Sequence, residues 1–103
     1  MLIILSKSLT AKDSASIFDM AARLAEKGEG IAILHIQDAC SAVASPEYCD
    51  RLLKSKINVY ALKADVEARG LAERIHPNVK MVDYKQWVSL MMNKHNKIVS
   101  WTS

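Results

Sequence analysis

INVYALKADVEARG, residues 57 to 70, changes its period midway. Ile57 to Leu62 is a short, largely apolar run suited to a strand, Lys63 to Arg69 takes up helical spacing, and Gly70 stops the helix. VKMVDYKQWV, from Val79, repeats the same change of period. Repeated strand-then-helix units specify a parallel sheet covered by helices. In such sheets ligands and chemistry gather where strands end and loops begin. At that position after the Ile57 strand stands Leu62, a chemically inert side chain.

Outward from this segment the pattern continues in both directions. Leu2 to Leu5 is an unbroken apolar run that reads as a buried strand. Thr10 and Asp13 have capping-box spacing, with Ser14 an alternative cap. Behind them Ile17, Phe18, Ala21, Leu24 and Ala25 share one helical face, and Gly28 is placed to end the helix left-handed. IAILHI after Gly30 reads as a second strand, covered on both faces. Gln37 to Ala44 is rich in small residues and suits a short helix, and Ser45 followed by Pro46 starts another. Tyr48, Cys49, Leu52 and Leu53 form the core stripe of that helix. LAERIHPN is a connection, broken by Pro77. Val79 to Val82 is the fourth strand, Asp83 with Gln86 caps a helix carrying Trp87, Val88, Leu90 and Met91, and Lys97 to Trp101 is the fifth strand. This order predicts an α/β fold, a three-layer α/β/α sandwich with a five-stranded parallel sheet, in a single domain over residues 1–103.

Composition agrees with an ordinary globular chain: 103 residues, 50% apolar, 24% charged, net charge +3. No block of like charges marks a nucleic-acid tail, so direct contact with nucleic acid is not expected. The opening MLIIL is too short for a signal peptide or a membrane span, and no later run is long enough to cross a bilayer. Cys40 and Cys49 stand in a chain without a secretory signal, which points to the cytoplasm and against a disulfide. They and the scattered His35, His76 and His95 lack the spacing of a metal site. Gly28 and Gly30 precede a strand rather than follow one, so no nucleotide-binding glycine loop exists and no cofactor is expected.

Cys40 is the candidate catalytic residue. It follows the second strand, and a helix starting at Asp38 or Ala39 would lower its thiol pKa and favour a persulfide-carrying thiolate. The competing reading makes it a small buried hydrophobe, with Asp38 opposing ionisation. Cys49 lies on an apolar stripe and reads as core. His35, between Leu34 and Ile36, reads as a satisfied interior histidine; His76 lies in a loop, and His95 at a helix end. Trp87, Met91, Met92 and Trp101 suit a partner surface or core packing; four large apolar residues in the last seventeen exceed what one small helix needs to cover a sheet, which favours a role shared between the two. Asp65 and Arg69, one helical turn apart, are a pair that braces the loop after the third strand, contributing only about 0.3–0.5 kcal/mol if exposed.

VYALKADVEARGL, VKMVDYKQWVSL and the terminal IVSW, with LSKS and IQDACSAV nearer the start, resemble the TusB/DsrH family of sulfur-relay proteins over nearly the whole chain. The most specific blocks are Ala61, Leu62, Asp65, Ala68, Arg69 and Gly70, and Val82, Asp83 and Tyr84. The resemblance implies a DsrE/F/H-like fold and a place in a hetero-oligomer with TusC/DsrF-like and TusD/DsrE-like subunits. It further implies persulfide sulfur handling, toward 2-thiouridine at the transfer-RNA wobble position in the Tus branch. In the catalytic relatives a cysteine follows the third strand; the matching position here is Leu62, so the resemblance implies a non-catalytic subunit. Ala21 stands where some sulfur-oxidiser members carry another cysteine, which counts against that branch. Cys40 and Ala39 depart from the family's turn, and Cys40 inherits no role from it. Two other readings stay open: a stand-alone sulfurtransferase using Cys40, and a homo-oligomeric structural module.

Overall fold

The computed structural model describes residues 1–28, 30–94 and 98–101, with the backbone alone for Asn93, Lys94 and Trp101. Among the described residues, β1 (Leu2–Leu5), β2 (Ala32–His35), β3 (Asn58–Leu62), β4 (Lys80–Val82) and β5 (Ile98–Trp101) form one sheet in the order β4-β3-β2-β1-β5. Every pairing is parallel. The helices are α1 (Ala11–Glu26), a 3₁₀ segment (Gln37–Ala44), α2 (Pro46–Lys54), α3 (Lys63–Ala68) and α4 (Tyr84–Ser89), which runs on into a π-helical turn (Leu90–Lys94). The expected α/β architecture is therefore the observed one.

Alternation along the strands divides the core between two faces. Ile3, Leu5, Ile33, Val59 and Ala61 face α1, the 3₁₀ segment, α2 and α3, meeting Ile17, Ala21, Val43, Leu52 and Val66. Leu2, Ile4, Ala32, Leu34 and Tyr60 face the other way, toward Trp87, Leu90 and Met91. Each fully buried aliphatic side chain contributes about 1.5–3 kcal/mol. The first face, with four helical elements, carries the larger share of this burial, whereas α4 and its π turn cover the second.

Local signals fixed the helix ends. Asp13 N donates to Thr10 Oγ1 (3.1 Å), and Thr10 N donates back to Asp13 Oδ2 (3.2 Å). The Asp83–Gln86 box is tighter, at 2.7 and 2.9 Å. Ser45 caps α2, with Pro46 in its first turn. Gly28 and Gly70 close their helices at φ values of 74° and 64°, where a side chain would be strained.

Some boundaries differ. β2, β3 and β4 each begin one residue later than the apolar runs suggest, β2 ends at His35 rather than Ile36, and Lys97, the expected first residue of β5, lies outside the described residues. Ala25 is exposed, although its spacing puts it with the core face of α1. It lies on the same flank as Phe18, but its methyl group is too short to reach α2, whereas the Phe18 ring sits 5.6 Å from that of Tyr48. His95 lies outside the described residues.

Candidate functional site

The carboxyl ends of β2 and β3 lie side by side because His35 pairs with Ala61 in the parallel register. Leu62 ends β3, caps α3 and is buried. Facing it across the strand gap is the turn that leaves β2. There Asp65 Oδ2 accepts the backbone N–H of Gln37 at 2.7 Å. Arg69 reaches Asp38 Oδ1 at 3.1 Å, and its other terminal nitrogen stands 3.9 Å from Asp65 Oδ1. Arg69 Nη1 also donates to the Asp65 carbonyl at 3.4 Å, and the carboxylate pairing of Asp65 with Arg69 is the longest of these three contacts. The closer partner of Arg69 is Asp38, whose place in the chain puts it near Cys40 but not near Arg69.

Cys40 lies beneath this brace with no exposed surface, its Sγ donating to the His35 carbonyl at 3.4 Å. The expectation that helix dipoles would lower its pKa does not hold. The thiol is pushed up to about 11, first by burial, then by the Asp65 carboxylate, with Arg69 and a hydrogen bond to the Leu62 backbone pulling down and Asp38 adding a last upward push. At neutral pH the group is therefore held as the thiol. Cys49 is likewise fully buried, donating to the Val43 carbonyl at 3.4 Å, with its pKa raised to about 11, mainly by burial.

His35 is the buried polar centre of the sheet. Its Nδ1 lies 2.9 Å from the Tyr60 carbonyl, which can only accept, so Nδ1 carries the proton. Nε2 then accepts from the Tyr48 hydroxyl at 2.7 Å. Burial lowers its pKa to about 4 against the raising effect of the Tyr60 carbonyl, so the ring is neutral. The network ties β2, β3 and α2 together and leaves no lone pair for base catalysis. His76 takes a surface role: Nδ1 accepts from Asn78 N (3.1 Å), so Nε2–H donates to Asp50 (2.8 Å).

On the opposite face, Trp87 and Met91 are half-buried against the sheet rather than displayed. The Trp87 indole N–H is enclosed and finds no acceptor among the described residues. What α4 and its turn display instead is Tyr84, Val88 and Met92, exposed by 58%, 52% and 77%. Backbone pairing places Trp101 beside Leu5 at the sheet edge. An open hollow of about 530 Å³ runs between α4 and the β3–β4 edge, walled by Tyr60, Met81, Val82, Gln86 and Leu90. Among the described residues no three potential metal ligands cluster, and no helix is long and apolar enough to cross a membrane.

Comparison with known proteins matches the sequence to one family. The family model described as DsrH like protein matches residues 11–97. Protein TusB of Pectobacterium parmentieri is 36% identical over 84 residues, covering 81% of this chain and 87% of that protein. Protein TusB of Salmonella typhimurium is 37% identical over 90 residues, covering 86% and 95%. The crystal structure of the ychN protein from E. coli superposes with a TM-score of 0.78 over 97% of both chains, at 12% identity, a likeness of fold. With the family model spanning most of its length and TusB relatives above one-third identity, the chain belongs to the TusB/DsrH family.

Proposed function

We propose that this chain is a non-catalytic, TusB-like subunit of a cytoplasmic sulfur-relay complex, assembled with TusC/DsrF-like and TusD/DsrE-like chains. Its role is to support persulfide transfer toward 2-thiolation of the transfer-RNA wobble uridine. The observation that carries this reading is the state of the β3 carboxyl end: a buried leucine occupies position 62, and the neighbouring thiol, Cys40, is buried and protonated. Sulfur transfer needs a reachable thiolate. A chain of this family without one contributes through contact, and exposed Tyr84, Val88 and Met92 supply apolar surface for that.

The test is co-expression with TusC-like and TusD-like chains from a bacterium that carries all three. The expected result is a stable hetero-oligomer, and restored 2-thiouridine in transfer RNA of a strain lacking its own TusB. A chain that stays alone through purification, with no restored 2-thiouridine, would remove the reading.

A further inference from the structure

α4 and its π turn cover the second face of the sheet, and a stretch above β3 and β4 is left open. The hollow there, about 530 Å³, falls within the size range of small-ligand sites. Its apolar floor includes Val82 and Leu90, both buried. Its polar lining is Tyr60, Lys80, Gln86 and Ser89, with no acidic side chain among the lining residues.

These polar groups can all donate, and two of them are held in place. Lys80 pairs with Tyr60 in the parallel register, so the two stand side by side on one face of the sheet. The Tyr60 ring is buried, which fixes the position of its hydroxyl. Gln86 is pinned by the cap of α4: its Oε1 accepts the Asp83 N–H at 2.9 Å, which leaves its NH₂ group as the available end. Asp83, the nearest acid along the chain, places Oδ1 against the Gln86 N–H at 2.7 Å. Among the described residues, the Lys80 ammonium and the Tyr60 and Ser89 hydroxyls have no hydrogen-bond or ion-pair partner.

We infer that this hollow is a binding site for a carboxylate with an apolar body. Lys80 supplies the charge, the Gln86 amide and the Tyr60 and Ser89 hydroxyls supply hydrogen bonds, and Val82 and Leu90 receive the body. A single cation among neutral donors over an apolar floor suits a monoanion. A phosphate draws several cations or a row of backbone amides. The site is complete in one chain, so it does not depend on the relay-complex reading. The same chemistry recognises a free acid and an acidic side chain on a bound subunit.

The experiment follows amide chemical shifts of the isotope-labelled, full-length chain during titration with sodium hexanoate at constant ionic strength. Saturable shifts centred on Tyr60, Val82, Gln86 and Leu90 are expected, with a Kd in about the millimolar range. 1-Hexanol should bind at least about tenfold more weakly than hexanoate, and Lys80→Gln should weaken hexanoate by as much. Tyr60→Phe, which removes only the hydroxyl, should weaken it by about threefold or more. Lys80 is exposed, so Lys80→Gln should keep the wild-type melting temperature. Shifts that fail to saturate, that 1-hexanol reproduces, or that survive both substitutions overturn the carboxylate site. Hexanoate added to the hetero-oligomer then identifies the source. Loosened assembly, matched by Lys80→Gln, assigns the carboxylate to a neighbouring subunit's acidic side chain; undisturbed assembly assigns it to a free acid. Failure of the chain to assemble at all removes the relay reading and leaves the titration to decide the site.

Discussion

His35 carries no charge because it is enclosed on every side and its two nitrogens are already engaged, one as donor and one as acceptor. Its pKa falls from 6.5 to about 4, so between those values the unfolded chain binds a proton that the folded chain refuses. Stability is therefore intact above the unfolded value and declines as pH falls toward the folded one. Unfolding free energies from urea melts near pH 7 and about pH 4.5 should differ by about 2–3 kcal/mol more for wild type than for His35→Gln; equal differences would refute it. Cys40 offers a second test. Its thiol should resist a thiol-reactive dye until the chain unfolds, and incubation with a persulfide donor should add no sulfur mass at that residue. Cys40→Ala should lower stability by about 1 kcal/mol, yet leave thiolation in the assembled complex intact. A sulfur adduct lost on Cys40→Ser would instead restore the sulfurtransferase reading. The apolar neighbours of His35 marked it as an interior residue in the sequence. They could not name Tyr48 and Tyr60, which lie 13 and 25 positions away along the chain. For Cys40, sequence spacing suggested a helix start, whereas the pKa depends on burial and on Asp65, both set by packing.

At the scale of elements, caps were the most legible features because they are local. Both capping boxes and the Ser45–Pro46 start join residues within one turn, so spacing alone specifies them. α4 depends on its cap most, since a six-residue helix is marginal without help. Asp83→Ala should cost about 1 kcal/mol, with amide exchange accelerated in α4 and unchanged in α1. Uniform acceleration would mean that α4 opens only with the whole fold. The π turn at Leu90–Lys94 was not legible. Helical extrapolation assumes 3.6 residues per turn, and a wider turn re-aims every residue after it. The half-buried pair Trp87 and Met91 and the exposed pair Val88 and Met92 nevertheless each keep the four-residue spacing of one helical face.

Across the whole molecule, the two faces of the sheet differ in kind. One is closed by α1, α2, α3 and the 3₁₀ segment; the other is covered by α4, which ends in exposed apolar side chains. Val88→Lys and Met92→Lys change exposed positions, where substitutions usually shift stability by less than about 0.5 kcal/mol. They should leave the melting temperature of the isolated chain unchanged and abolish its co-purification with the homologous subunits. Unaltered co-purification of both variants would place the shared surface elsewhere.

The chain's periodicity and turn residues determined the number and type of elements and the parallel class of the sheet, because those depend on contacts between near neighbours. The thiol-free end of β3 was equally visible, since it is a matter of which residue stands at position 62. Tertiary structure decided the strand order, the joining of Asp38 to Arg69 and Gln37 to Asp65, and the burial of Cys40. Each is a meeting of segments some thirty residues apart or a matter of enclosure, and a linear pattern encodes neither.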